Sequence, residues 1–172
     1  MKTLQFSIIF LLLSVSLFAQ NQKIGWVNSE VILQQYAPAI KAQSDLDALT
    51  ADWSKEIEKM TQELQTSYTD AQKQFANMTP DKQREVQQEL VQKEQAMQQF
   101  RQQKFGQPNG ELFIKQEELL KPIKAEILKA IEKVKVQEKM NFVFDKTGDV
   151  ILLFADPQFD ITNEVLIKLK KG

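Results

Sequence analysis

The sequence predicts a predominantly helical α+β fold, in which a small β-strand body carries a long α-helical hairpin arm. Three observations lead there. Gly and Pro number only five each among 172 residues, few for a loop-rich globule. A ladder of apolar and small residues with helical spacing runs from Pro38 to Ala76. Short segments rich in β-branched and aromatic residues follow the N-terminal leader and recur near the C-terminus, the composition of strands.

The leader comes first. Lys2 precedes an apolar run from Phe6 to Leu17, with Ala19 in a cleavage position, which is the pattern of a secretory signal peptide. The run is shorter than the ~20 residues that cross a bilayer, and no Cys follows it for lipid attachment. Residues 1–19 are therefore set apart from the fold, and the mature chain is expected to be exported.

Lys23 to Asn28 reads as a strand. Asn28 or Ser29 then caps a short helix through Gln35, a side-chain oxygen satisfying an otherwise unpaired amide, and Pro38 suits the first turn of the next helix. In that helix Ala42, Leu46, Leu49, Trp53, Ile57, Met60, Leu64, Tyr68, Ala71 and Phe75 step by three and four. They form one stripe on one face. The steps repeat every eleven residues, so the helix is expected to be nearly straight.

The segment Asn77-Met78-Thr79-Pro80-Asp81 predicts a hairpin tip: Thr79 is a good N-cap, Pro80 fits the first helical position, and Asp81 complements the helix dipole. The return helix, to about Phe105, carries ten Gln between Gln83 and Gln107 but only a thin apolar set, Val86, Leu90, Val91, Met97 and Phe100. Phe105 to Gly110 breaks the pattern. Helical spacing resumes at Leu112, with Pro122 expected to kink the segment or mark its start. The wide stripe from Leu119 to Val134, with Leu120, Leu128 and Ile131, implies burial on more than one side. Phe142–Asp145 and Val150 to Phe154, around a Gly-containing turn, read as a β-hairpin, and Asp160 caps a final helix bearing Ile161, Val165, Leu166 and Leu169 on one side.

The organisation expected is thus a leader at 1–19, a β-rich oligomerisation body from 20–38 and 118–172, and a helical hairpin arm at 39–117 with its tip near 77–80. Three short strands with open edges are marginal alone. Pairing with other subunits buries Ile24, Trp26, Phe142, Phe144, Leu152 and Phe154, so the body is expected to oligomerise.

Composition narrows the chemistry. With no Cys, disulfides, thiol chemistry and thiolate metal sites are excluded; with no His, the commonest general acid–base and transition-metal ligand is missing,. No Gly-rich phosphate loop is present either. The sequence therefore suggests no enzyme, no metal and no cofactor. The formal net charge is −1. Residues 39–76 hold seven acids against four Lys, and residues 111–140 six Glu against seven Lys, so no segment makes a polyanion site and nucleic acid is disfavoured as a partner.

Several motifs resemble the Skp/OmpH chaperone family. Lys23-Ile24 to Gln34-Gln35 is similar to its mature N-terminus, Phe142-Val143-Phe144-Asp145 to its apolar strand ending in Asp, and Phe159 to Leu166 to its closing Asp-Ile-Thr helix. Phe105 through Lys121-Pro122-Ile123 resembles a branch with Phe-Gly before an apolar helix containing Pro. The resemblance implies a homotrimer whose strands build a β-barrel body, with three hairpins around a cavity that holds unfolded outer-membrane proteins in the periplasm without ATP. Trp53, Met60, Tyr68, Phe75, Met78, Met97 and Phe100 are the candidate client contacts, since aromatic and Met side chains give adaptable apolar contact. The plainer role for the same stripe is to seal the hairpin helices together. Well-known family members are strongly basic, and this chain is not, which leaves membrane or lipopolysaccharide contact without electrostatic support. A structural or adhesive coiled-coil protein of the envelope is the alternative; it accounts less well for the strand-bearing C-terminus.

Overall fold

The computed structural model describes residues 22–148 and 152–171; the leader expected at residues 1–19 lies outside them. The chain runs β1 (Ile24–Val27), α1 (Ser29–Gln35), α2 (Ala37–Gln74), a 3-10 turn (Phe75–Asn77), α3 (Pro80–Phe105), α4 (Glu111–Gln137), β2 (Phe142–Asp145), a 3-10 turn (Pro157–Phe159) and α5 (Thr162–Lys171). It divides into two compact units. One is formed by the N-terminal segment through Ile32 together with Lys129 onward, the other by Leu33–Leu128.

In the first unit β1 and β2 form a two-stranded parallel sheet, with Ile24 opposite Phe142 and Trp26 opposite Phe144. The free edge of β1 is engaged by the segment before α5. The Ile161 amide donates to the Trp26 carbonyl at 3.0 Å, and the Trp26 indole donates to the Asp156 carbonyl at 3.1 Å. The buried apolar residues of this unit are Val27, Ile32, Ala130, Val134, Met140, Ile161, Val165 and Leu166. Met140 explains Gly25: a Cβ there would meet the Met140 sulfur at 2.2 Å. The chain reaches Met140 through Lys139, which ends α4 with a positive φ of 53°, while the Met140 amide returns to the Lys135 carbonyl, a helix-ending turn of Schellman type.

Two carboxylates fasten the helix starts in this unit. Asp145 accepts from the Ser29 amide and from the amide and hydroxyl of Thr147. Burial pushes the Asp145 pKa up, but the Ser29 and Thr147 hydrogen bonds together outweigh it and hold the carboxyl below its ordinary value,. Asp160 accepts from both the amide and the hydroxyl of Thr162, and the Thr162 oxygen accepts from the Asn28 amide at 3.0 Å. Asn28 in turn caps α1 through the Val31 amide, so the starts of α1 and α5 share one hydrogen-bond chain.

Two expectations are corrected here. Phe142–Asp145 does not open a β-hairpin: it pairs in parallel with β1, and the described residues Leu152 to Phe154 form no strand, Val150 and Ile151 lying outside the described residues. Leu153 and Phe154 are 94% and 89% exposed, so within one chain a strand there has no apolar layer to cover. Nor is the α4 stripe buried on more than one side. Ile123, Ile127, Ala130 and Val134 form a single buried line, whereas Leu128 and Val136 are exposed. Pro122 lies inside α4 rather than at its start. Its ring leaves the Glu118 carbonyl without a helical donor, and both residues are exposed to water.

The second unit contains the helical hairpin of α2 and α3. Pro38 sits in the first turn of α2. Pro80 opens α3, and the Thr79 hydroxyl caps that helix by accepting from the Lys82 amide. The Gln83 side chain secures the tip by donating to the carbonyls of Phe75 and Met78, at 2.9 and 3.4 Å. Gly106 to Gly110 separates α3 from α4, at the break the sequence predicts.

Candidate functional site

The hairpin stripe is sealed at its two ends and half open between. On α2 the buried residues are Ala39, Ala42, Leu46 and then Ala71; on α3 only Leu90 is buried. Between Leu46 and Ala71, a rise of roughly 37 Å, Leu49, Trp53, Ile57, Met60 and Leu64 stay half-buried. The thin apolar set of α3 is the cause, because the return helix offers too few large side chains to cover them.

What it offers instead is polar. The Thr61 hydroxyl contacts the Met97 sulfur at 3.4 Å, Tyr68 donates to a Glu94 carboxylate oxygen at 3.2 Å, and Lys93 donates to the Ser67 hydroxyl at 2.7 Å. Loss of water, the largest single cause, and the hydrogen bond and charge of the Glu94 carboxylate raise the Tyr68 pKa above its ordinary value, in keeping with a protonated phenol that donates. Toward the tip, Tyr68, Ala71, Phe75, Val86 and Leu90 line a hollow of about 620 Å³ rimmed by Gln65, Gln72 and Gln87.

At the opposite end of the stripe, Trp53 packs edge-on against Phe105, ring centroids 5.7 Å apart. Lys104 lies over the same indole at 4.9 Å, stands 5.8 Å from the Phe100 ring, and pairs with Glu111 across the break between α3 and α4. A second hollow, of about 760 Å³, borders that break, with Pro108, Phe113, Leu120 and Leu128 on its wall beside Lys121 and Lys124.

The seven candidate client contacts are therefore dispersed along one hairpin. Tyr68 and Phe75 share the hollow near the tip, Trp53 and Phe100 meet through Lys104, and Met97 is engaged with Thr61. Met60 is half-buried on the open stretch and Met78 half-buried at the tip. Of the six body candidates, Ile24 and Phe142 are neighbours in register and about half exposed, Trp26 and Phe144 are neighbours in register and half-buried, Leu152 is half-buried and Phe154 is exposed. Lys146 lies over the Trp26 ring at 5.0 Å.

Sequence reasoning passed over Lys104, Phe105 and Glu111. The signal was present: Trp53 and Phe105 are equidistant in sequence from Thr79, as are Thr61 and Met97, so placing the tip at Thr79 also sets the register of the hairpin. Among the described residues no cluster of acidic side chains is placed to hold a metal, and no helix is long and apolar enough to cross a membrane.

The family model described as Outer membrane protein (OmpH-like) matches residues 23–169. No curated protein matches the chain. Among solved structures, a crystal structure of a candidate outer membrane chaperone (OmpH-like) from Caulobacter crescentus superposes with a TM-score of 0.72 at 16% identity, covering 87% of this chain and 85% of that one. At that identity the likeness bears on the fold. The family match spans most of the sequence, from the residue before β1 to the last turns of α5, and the chain belongs to the OmpH-like outer membrane protein family.

Proposed function

We propose that this protein is a periplasmic holdase chaperone that binds unfolded outer-membrane proteins along its helical hairpins and prevents their aggregation without ATP. The observation that carries the proposal is the half-open stripe between Leu46 and Ala71. A hairpin built only for rigidity would cover these side chains from α3; here they remain available as adaptable apolar contacts for a chain that has not yet buried its own. Holding requires binding alone, in keeping with a sequence that lacks His and Cys.

The same proposal takes the working form to be a homotrimer joined through the body. Ile24, Phe142, Phe154 and Ile167 are each about half exposed or more, and the two-stranded sheet is small for independent stability. Covering these residues with other copies of the chain removes apolar surface from water. Entry into the periplasm follows from the leader at residues 1–19.

Deleting Asp52 to Phe100 and closing the gap with a Gly-containing turn tests the proposal. The deletion takes nearly equal lengths from both helices around the Thr79-Pro80 tip. The shortened protein is expected to keep the mass of a trimer in solution but to lose suppression of aggregation of a denatured outer-membrane β-barrel protein. Equal protection by the two forms overturns the hairpin as the holding element; failure of the full-length protein to protect overturns the holdase function itself.

A further inference from the structure

The side of α3 turned away from α2 carries a line of glutamines. Gln88, Gln92, Gln95, Gln99 and Gln102 step by four and three, which at 3.6 residues per turn confines them to an arc of about 80°. Leu90 and Met97, which face α2, lie on the opposite side of the helix. All five glutamines are exposed, and none of their side chains makes a hydrogen bond to another described residue. The hairpin hydrates its other surfaces differently. Exposed positions of α2 hold ion pairs such as Lys41–Asp45, Lys59–Glu63 and Lys73–Asp70, and α3 has Lys82–Glu85 and Lys93–Glu89 off the line. Along the glutamine line no charged residue intervenes.

Resting on the holdase function, we propose that this glutamine line binds the backbone of an extended, unpaired β-strand segment of the client. The chemistry of the line selects that occupant. An anionic headgroup or nucleic acid needs a row of free Lys or Arg; the line itself holds none, and Arg84, one turn before it, is already paired with Asp81. An amphipathic helix needs apolar anchors three and four residues apart, and here a single large apolar side chain, Val91, borders the line at 48% exposure. Each Gln offers two donors and a carbonyl acceptor. The partner that presents both unpaired donors and unpaired acceptors in a row is a strand without its neighbour, the state of an outer-membrane β-barrel segment before it closes. From Gln88 to Gln102 the line extends about 21 Å, the length of roughly six extended residues. The groove formed by Arg84, Gln87, Gln88, Val91 and Gln92, about 550 Å³, gives an apolar side chain of such a strand a place beside Val91. Neutral amides bind backbone of any sequence, which suits a holder of many clients and does not require a basic chain.

The test uses the whole mature protein and two labelled peptides of about eight residues, alternating Val and Thr, identical except that one is N-methylated at alternate residues and so lacks those N–H donors. Native protein is expected to bind the unmethylated peptide about tenfold more tightly, with little dependence on salt. Changing the five glutamines to Ala, a strong helix former that preserves α3, is expected to abolish the preference while circular dichroism stays unchanged. Equal affinity of native protein for both peptides, or an undiminished preference in the Ala variant, overturns the proposal. So does a change in oligomeric mass on substitution, which would assign the line to contact between copies of the chain. If native protein protects a denatured outer-membrane protein yet shows no preference, this inference alone falls; if it protects nothing, the holdase function falls with it.

Discussion

The Lys104 ammonium sits 4.9 Å from the centre of the Trp53 ring and is paired with Glu111 across the break between α3 and α4. Its side chain is 17% exposed, against 38% or more for the other cations in ion pairs among the described residues. A cation drawn from water onto an indole face is held by the ring quadrupole as well as by the carboxylate. One lysine thereby joins α2, the end of α3 and the start of α4.

Lys104→Ala is accordingly expected to destabilise the protein by about 1–2 kcal/mol and to speed hydrogen exchange at Gly106 to Gly110. Urea unfolding and exchange followed by mass spectrometry measure the two effects. Exchange at the tip around Thr79 should not change, because the contact is local to the other end of the hairpin.

How far the sequence reveals this structure depends on the distance over which each feature is determined. The tip at Thr79-Pro80 and the break at Gly106 to Gly110 are legible because capping and helix breaking act within a few residues. The pairing of Ile24–Val27 with Phe142–Asp145 is not, since two short apolar strands far apart carry no local mark of their partner, and the nearby Val150 to Phe154 run offers a plausible but different one. The exposure of Leu128 escapes the sequence for a related reason: helical spacing shows that a side chain is apolar, while what covers it depends on neighbours or further subunits. In the hairpin the stripe itself is legible and its incomplete closure is not, because closure depends on the exact side chains of α3 opposite each position.

Thr162 provides a test of the link between α1 and α5. Its oxygen accepts from the Asn28 amide, and it is 5% exposed. Thr162→Val keeps the shape but leaves that amide without its acceptor, so a loss of about 1–3 kcal/mol is expected, whereas Thr162→Ser should retain most of the stability. Thermal unfolding of both variants makes the comparison.

Asp145 gives the unit containing the sheet a dependence on acidity. Because its folded pKa is depressed, its charged form contributes stability that is fully present above the unfolded carboxylate value of about 3.9 and is lost as the pH falls through the folded value. Asp145→Ala should therefore lower stability by about 2 kcal/mol at neutral pH. The gap between native and variant should be constant from neutrality down to mild acid and close below about pH 4, as measured by urea unfolding across that range.

Sealing and holding can be separated on the hairpin by comparing Leu90 with Met60. Leu90 is 8% exposed and is the buried residue of α3; Met60 is half-buried on the open stretch of α2. Leu90→Ala removes side-chain volume from the one closed contact on that helix, and a loss of about 2–3 kcal/mol is expected. Met60→Gln exchanges a half-exposed thioether for an amide of similar length and good helix propensity, so stability should fall by less than about 1 kcal/mol. Client protection should show the reverse order. At a temperature where both variants remain folded, Leu90→Ala should suppress aggregation of a denatured outer-membrane protein nearly as well as the native chain, while Met60→Gln combined with Ile57→Gln should do so less well. Should the double variant protect fully and unfold early, the stripe serves to close the hairpin, and the apolar contact with clients lies elsewhere on the molecule.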